Sequence, residues 1–441
     1  MITIKKKYIA FIVGLFSLTQ VRLVGMFAIS EFILLATIVY ILSNNPLLFR
    51  AAFQNKQMNT LLCLCLFWIF STVISDLINN TSIIDLFKGL GGSVLLFFSL
   101  IFFYWLFSQQ LDLMYLFLWG VAISMVLSFF IFIPAALEAR IVEGGSSLMD
   151  TGGLWNRLLA RAVRAFVFAF SFRYYSKYPY LVCIIFFLNL FNGLLAGSRG
   201  SFLVGFLSVL LIIFFARYAK IDYLMPRTIF YVKKKMPLII LILIIGFFAV
   251  KNIYSFAAEQ GYMGEASKRK YEKQTNSKLG LLSGRGSFVA AFLAISDKPL
   301  FGHGSFAKDT EGYALQAAEL VGDSEDINRA YKWRGQRYIP SHSHLTGAWV
   351  QNGVLGALFW IYALFLIFRF LLKYAYIYPK FFGYIIPASF STVWSIFFSG
   401  FWNRIGLGAF FAFIIIMMEQ IDRKKDLLSY ETNRSANIIS T

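Results

Sequence analysis

The sequence predicts an all-α, polytopic membrane protein, and three observations carry this prediction. Of its 441 residues, 59% are hydrophobic and only 14% are charged, and the mean hydropathy is +0.67. Apolar runs of about 17–25 residues, each long enough to cross roughly 30 Å of hydrocarbon, recur along most of the chain. Lysines and arginines gather in the short connections between these runs, as the positive-inside rule describes. In a membrane, runs of this length form the hydrogen bonds of their backbone amides and carbonyls as helices rather than as a β-barrel.

The positions of the apolar runs predict about twelve transmembrane helices. The predicted spans are 8–24, 27–43, 58–76, 88–107, 112–134, 156–173, 178–197, 200–216, 236–255, 342–372, 380–398 and 403–420. The basic connections and both termini then face the cytoplasm. The connections on the outer side are the turn near Met26, the loops 75–88 and 134–155, the corner around Arg199, the segment 257–341 and the turn 400–404.

This topology divides the chain into four parts. We predict transmembrane helices 1–9 in residues 1–255, a large periplasmic loop with short helices in 256–341, transmembrane helices 10–12 in 342–420 and a cytoplasmic tail in 421–441. Within the loop, GSFVAAFLAI has the pattern of an amphipathic helix that starts just after Arg285, and PLFGHGSF is a turn-rich exit.

Composition and missing motifs exclude several functions. A net charge of +19 is compatible with binding to nucleic acid. The positive-inside rule already explains this charge, because the basic residues lie in the connections between apolar runs, so we predict no nucleic-acid partner. The three cysteines lie inside apolar runs and encode neither a disulfide framework nor a zinc site. The acidic residues around Asp323 lie in one short stretch, whereas a site for Ca²⁺ or Mg²⁺ needs several oxygen ligands that point at one position, so we do not assign a metal site there. Since no GxGxxG, Walker or HExxH motif is present, we expect no cofactor and no metal.

Two arginines stand beside glycines directly ahead of apolar helices. Arg199 lies in GSRGSF and Arg285 in SGRGSF. Glycine lets the backbone approach a ligand, and a helix N-terminus beside a guanidinium suits a phosphate. The pattern predicts a paired anion site, and the alternative is two unrelated arginines that reach lipid headgroups. Arg161 belongs to a basic stripe and is a candidate for the pocket, with an interfacial stripe as the alternative.

Two of the three histidines stand where a polar loop enters a long apolar helix. Ionisable residues at such a boundary are functional candidates. A neutral imidazole accepts a hydroxyl proton near neutral pH, so His342 is the candidate base and His344 a candidate for the acceptor site or pocket. The alternative is a histidine that caps the helix or bonds a carbonyl. His303, between two glycines, is interpreted as a turn residue.

These motifs resemble the superfamily of O-antigen ligases and Wzy-type polymerases, which are bacterial envelope glycosyltransferases. The sequence from His342, HS followed by nine residues and GVLG, is similar to the ligase histidine motif. Arg199, with a leucine four residues later, is similar to the family's arginine motif. Arg285, with PLFGHG further along the chain, stands at the position of the arginine that these proteins have in their large external loop.

The resemblance implies a GT-C-like fold in the bacterial inner membrane, with the active site facing the periplasm. It implies an undecaprenyl-diphosphate-linked glycan as donor, inverting transfer without a metal, His342 as base, and Arg199 and Arg285 on the diphosphate. The histidine motif favours an O-antigen ligase, whose acceptor is lipid A-core. A Wzy-type O-antigen or exopolysaccharide polymerase, whose acceptor is a lipid-linked repeat unit, is the alternative. A polysaccharide transporter or flippase is more remote, because the sequence lacks the repeat symmetry that transporters usually show.

Overall fold

A computed structural model describes most of the chain, and helices dominate the described part. It describes residues 6–22, 26–44, 50–142, 163, 165–175, 177–195, 199–218, isolated positions between 237 and 260, 286–321, 324–332, 334–374, 381–401 and 403–439.

The first half begins with a short helix and a small hairpin. Helix α1, Lys6–Leu15, precedes strands β1, Gln20–Arg22, and β2, Met26–Ala28, which pair antiparallel with Val21 opposite Phe27. The helices that follow are α2 (Ile29–Asn44), α3 (Arg50–Gln54), α4 (Lys56–Ile78), α5 (Ile83–Phe107), α6 (Leu113–Val142), α7 (Ala165–Tyr174), α8 (Pro179–Leu195) and α9 (Arg199–Tyr218).

The second half contains short helices in residues 286–332 and then longer apolar helices. The short helices belong to the segment predicted to be external, 256–341, which is called the external segment below. In chain order, the helices of this half are α10 (Gly286–Asp297), α11 (Tyr313–Val321), α12 (Ser324–Lys332), α13 (His344–Lys373), α14 (Phe382–Phe398) and α15 (Arg404–Ile439). Helix α10 confirms the amphipathic helix predicted directly after Arg285.

Four helices within the described residues are long and apolar enough to cross a membrane: Lys56–Ile78, Ile83–Phe107, His344–Lys373 and Arg404–Lys424. Shorter apolar helices accompany them, including α2 with 16 residues and α14 with 17. The all-α class and the multi-pass membrane character predicted from the apolar runs are therefore supported. The total of about twelve spans stays a prediction.

Three predicted boundaries differ from the structure. The span predicted as 8–24 is helical only to Leu15, and the hairpin follows; hydropathy alone does not separate an apolar strand from a helix. The span predicted as 112–134 continues as helix to Val142, through the first part of the loop predicted at 134–155. Helix α15 continues through most of the predicted cytoplasmic tail to Ile439.

Aromatic packing joins the central helices. Helix α4 packs against α5 and α13, and α15 packs along α5. Between α4 and α13, the ring of Trp68 lies 5.3 Å from that of Phe359 and 5.7 Å from that of Trp360. Lipid tails are as apolar as these side chains, so close packing rather than exclusion from water holds such helices together.

The segment between α10 and α13 has a small core of its own. Ala290 and Ala294 of α10 pack with Tyr313 of α11 and with Ile339 of the strand-like segment ahead of α13. Val350 of α13 belongs to the same cluster. The external segment is therefore packed directly onto helix α13.

Candidate active site

A break in helix α13 lies at the centre of the candidate site. Gly353 has φ 70° and ψ −164°, whereas its neighbours on both sides are helical. Glycine adopts this backbone conformation at little cost. A break of this kind interrupts the hydrogen bonds from one turn to the next, so the carbonyls ahead of it need partners from elsewhere.

The loop of residues 298–305, which contains PLFGHG, supplies such partners. The amide of His303 donates to the carbonyl of Val350 at 2.7 Å, and the amide of Gly304 donates to that of Gln351 at 3.0 Å. Two motifs that lie about fifty residues apart in the sequence are therefore hydrogen-bonded to each other. We call this contact, between residues 298–305 and 349–354, the seam.

Gly353 also makes room for the loop. The amide of Val354 donates to the carbonyl of Leu300 at 3.3 Å, and a Cβ on Gly353 would lie 1.9 Å from that carbonyl oxygen. In a membrane helix, two glycines as close in sequence as Gly353 and Gly356 usually let a neighbouring helix approach. This holds for Gly356, where a Cβ would lie 3.1 Å from Trp68 of α4, whereas the neighbour at Gly353 is the loop.

Helix α4 binds the same broken turn from its own side. The hydroxyl of Ser75 donates to the carbonyl of Gln351 at 2.7 Å, and that of Ser71 donates to the carbonyl of Asn352 at 2.5 Å. The freed carbonyls of α13 are thus shared between α4 and the loop, so the three segments position one another.

A buried carboxylate on α4 holds the loop. Asp76 is 1% exposed and accepts hydrogen bonds from the amide of Ser305 at 2.5 Å and from its hydroxyl at 2.8 Å. One turn away, the ammonium of Lys298 donates to the Oδ1 atom of Asn79 at 2.9 Å. Asp76 was not among the predicted site residues. The available signal was a carboxylate near the end of an apolar run, where an ionisable group needs a partner or a task.

His342, the predicted base, is exposed in the extended segment just ahead of α13. The adjacent Ser343 fixes that segment, because its hydroxyl accepts from the amide of Thr346 at 3.0 Å and donates to the carbonyl of Ile396 at 2.8 Å. The imidazole of His342 has no hydrogen bond to the residues that the structure describes. An accessible imidazole on an anchored backbone meets the first requirement for a base that acts on an incoming substrate.

His344 is in a different environment. It is 4% exposed, and its ring lies 4.7 Å from that of Trp360 and 5.4 Å from that of Phe401. Its Nε2 atom lies 3.1 Å from the carbonyl oxygen of Gly400, and because a carbonyl only accepts, Nε2 carries the hydrogen. This packing matches the alternative reading of a histidine that bonds a carbonyl. Its role as an acceptor or pocket residue stays a prediction.

His303 lies in the non-helical loop of the seam, in keeping with its interpretation as a turn residue. Its Nε2 atom donates to the carbonyl of Ala294 at 2.9 Å, and its ring packs on Tyr313 at 5.4 Å. Burial lowers the pKa of His303 below its usual value, so the ring is neutral at pH 7. Burial and the hydrogen bond to Asp297 raise the pKa of Tyr313.

A buried ion pair joins two of the outer turns. Glu31, at the start of α2, is 2% exposed and its Oε1 atom lies 2.8 Å from Nε of Arg404, the first residue of α15. Its Oε2 atom also accepts from the amide of Ala28 in the hairpin. These contacts, and those of Asp76 and His344, place the hairpin, the α4–α5 turn, the external segment and the α14–α15 turn at one end of the bundle. The predicted topology assigns these four connections to the outer side.

The three predicted arginines are only partly within the described residues. Arg199 is the first residue of helix α9, as its corner motif predicts, and its side chain lies outside what the structure describes. Arg285 immediately precedes α10 and is outside the described residues, as is Arg161. Their roles on the diphosphate and at the pocket therefore stay predictions.

Comparison with known protein families supports the resemblance. A family model described as O-antigen ligase matches residues 184–361, which are 178 of the 441 residues. A comparison with curated proteins gives no match. The matched region includes Arg199, Arg285, His342 and both sides of the seam. Residues 184–361 of this multi-pass membrane protein are therefore similar to the O-antigen ligase family.

Proposed function

We propose that the protein is a membrane glycosyltransferase that moves a glycan from an undecaprenyl-diphosphate carrier to a sugar hydroxyl on the periplasmic side of the bacterial inner membrane. We assign it as an O-antigen ligase, whose acceptor is lipid A-core. The observation that carries the proposal is the family match, which runs without interruption from before the Arg199 corner to the helix that follows His342.

His342 is the proposed base. It takes the proton of the acceptor hydroxyl, the hydroxyl oxygen attacks the anomeric carbon of the glycan, and the bond from that carbon to the diphosphate breaks with inversion. The diphosphate leaves with its carrier and gathers negative charge. Arg199 and Arg285 are proposed to stabilise that charge, since a guanidinium binds phosphate oxygens in a bidentate manner. The proposed reaction uses no metal.

The seam supports the part of this proposal that concerns His342. It fixes the start of α13 against the external segment through the broken turn at Gly353. His342 stays accessible while the two residues that follow it, Ser343 and His344, are buried. We propose that the surrounding bundle is GT-C-like and has about twelve spans, in keeping with the lengths of its apolar runs.

The test is glycan transfer in a strain whose own copy of the gene is deleted. Complementation with His342→Ala is expected to give no transfer while the protein reaches the membrane in normal amount, and Arg199→Lys and Arg285→Lys are expected to be nearly as damaging. Ser341→Ala, one residue from the histidine, is the matched control and should transfer normally. Normal lipopolysaccharide ladders from the three site variants would overturn the proposal.

The same deletion separates the ligase from its alternatives. Accumulation of a carrier-linked polymer indicates a ligase, and lipopolysaccharide capped with a single repeat unit indicates a Wzy-type polymerase. With purified protein in liposomes, consumption of the lipid-linked glycan in the presence of an acceptor indicates an enzyme. Translocation of the lipid-linked glycan without bond formation would instead indicate a flippase.

A further inference from the structure

A polar cavity lies at the end of the bundle opposite the candidate active site. Its volume is about 370 Å³, and helices α3, α5 and α15 contribute to its walls. Helix α4 relates the two sites, because Asn55 at its N-cap lines the cavity while Asp76 near its other end holds the seam, about 30 Å away along the helix. The cavity is therefore separate from the proposed chemistry. Its size is within the range of about 300–1,000 Å³ that is typical of small-molecule sites.

The cavity contains a carboxylate whose acceptor positions are occupied. The Oε2 atom of Glu419 accepts from the hydroxyl of Tyr104 at 2.5 Å and from Nδ2 of Asn55 at 2.8 Å. Its Oε1 atom is paired with Arg423. A carboxylate engaged in this way is a poor ligand for an incoming cation, and it holds Arg423 against the cavity.

One cation, Arg423, lines the cavity, and a second, Lys6, is hydrogen-bonded to the side chain of a lining residue. The guanidinium of Arg423 keeps most of its surface exposed, with the side chain 76% accessible. On another wall, Gln109 accepts a hydrogen bond at 3.2 Å from Lys6, whose ammonium also lies 4.4 Å from the ring centre of Trp105. Among the described residues, no carboxylate forms an ion pair with Lys6. Two positive charges against one engaged carboxylate suit an anionic ligand.

The level of the cavity indicates what kind of anion reaches it. Helix α15 is apolar up to Met418 and polar from Glu419 onward, and the apolar part of α5 ends at Phe107, directly before the polar lining residues. The cavity therefore lies where hydrocarbon meets the headgroup layer. The side chain of Phe53, next to the lining residue Gln54, is 44% exposed and offers an apolar surface at the same level.

We propose that this cavity binds the phosphate headgroup of an anionic phospholipid, with Arg423 on its wall as the first cationic ligand and Lys6, which is bonded to the lining residue Gln109, as the second. Basic pockets between membrane helices at the headgroup level are established sites for such lipids. In the predicted topology this end of the bundle faces the cytoplasm, so the lipid comes from the inner leaflet.

Binding is measured by native mass spectrometry of the full-length, delipidated protein in detergent, titrated with phosphatidylglycerol, phosphatidylethanolamine or glycerol 3-phosphate. The wild-type protein is expected to retain phosphatidylglycerol about tenfold more tightly than phosphatidylethanolamine. The double variant Lys6→Gln/Arg423→Gln is expected to lose about tenfold in affinity for phosphatidylglycerol. Glycerol 3-phosphate is not expected to displace the lipid.

Two further variants make the result specific. Lys56→Gln/Lys373→Gln removes the same charge from exposed positions at the same end of the bundle, outside the cavity, and should bind as the wild type does. Gln420→Trp fills the cavity without changing its charge and should weaken binding even if the charge variant is unstable.

Three results would overturn the proposal. Equal retention of the two lipids by the wild type, or an equal loss in the cavity variant and its charge control, would mean a non-specific attraction. Unchanged binding in Gln420→Trp would place the lipid elsewhere. Displacement of the lipid by glycerol 3-phosphate would make this a site for soluble phosphate esters rather than for a lipid.

Discussion

Asp76 and Ser305, which are 229 positions apart in the sequence, are joined by two hydrogen bonds through the buried carboxylate of Asp76. These bonds attach the external loop to helix α4. The loop in turn bonds the broken turn of α13. One side chain of a membrane helix therefore contributes directly to the position of the external segment on the bundle.

Asp76→Ala is expected to lower the free energy of unfolding by about 1.5–3 kcal/mol, because two hydrogen bonds to a charged group are lost. Hydrogen exchange of residues 298–305 should become faster. Asp85→Ala is the matched control, since its carboxylate is 27% exposed and pairs with Lys88 within the same helix, a contact worth about 0–1 kcal/mol. Equal effects in the two variants would contradict the role given to Asp76.

Gly353→Ala is expected to disrupt the seam, because its backbone has a positive φ and its Cβ would overlap the carbonyl of Leu300. Backbone strain of this kind costs about 1–3 kcal/mol, to which the displacement of the loop adds. Transfer activity should fall with the protein still in the membrane. Gly91→Ala in α5 is the control, because its backbone is helical and the nearest atom to its Cβ position, in the ring of Phe27, is 3.8 Å away. A fully active Gly353→Ala variant would show that the seam is not required.

The two neighbouring histidines are expected to have opposite effects. His342→Ala should change the free energy of unfolding by no more than about 0.5 kcal/mol, since an exposed side chain is removed. His344→Ala should cost about 2–4 kcal/mol, because it leaves a cavity against Trp360 and removes the bond to Gly400. Thermal unfolding in detergent, measured beside transfer activity, separates them. The prediction fails if His342→Ala is the less stable variant.

The Glu31–Arg404 pair is suited to a double-mutant cycle. Either Glu31→Gln or Arg404→Gln alone should cost about 3 kcal/mol, because a buried charge loses its partner. The double variant should cost clearly less than the sum of the single variants. Additive losses, obtained by chemical denaturation, would show that the two side chains act independently.

The seam is expected to loosen in acid through His303. Burial lowers its pKa in the folded protein, so its contribution to stability is complete above the unfolded pKa of about 6.5 and is lost as the pH falls towards the folded value. Lys298 opposes protonation, whereas Asp297 and Glu311 favour it. Hydrogen exchange of residues 298–305, corrected for intrinsic rates, should be faster at pH 5.5 than at 7.5. His303→Gln should remove that difference, and an unchanged difference would exclude His303 as its source.

The sequence was sufficient to predict most of the helices, because an apolar run of the right length has few other structures open to it in a membrane. It failed at the hairpin around Val21, where short apolar strands have the same hydropathy as helix ends. It also failed at Gly353. A glycine in an apolar helix is usually a packing position, and the loop that it meets here begins some fifty residues earlier.

Candidate site residues could be proposed from the sequence where their signal is local. The histidine and arginine motifs are each a few residues long, and the family match contains them. Asp76 and the Glu31–Arg404 pair escaped prediction, because their partners are 229 and 373 positions away and no local spacing connects them. Such contacts become visible only when the helices are placed side by side.

The seam also determines which parts of this protein can be exchanged with those of a relative. The external segment, the outer end of α4 and the first half of α13 share the hydrogen bonds of one broken turn. A chimera that replaces only the external segment keeps the side chains of Ser75 and Asp76 on α4 but changes the loop that they bind. We expect functional chimeras only when all three pieces come from the same parent, although α4 lies 229 positions from the loop in sequence.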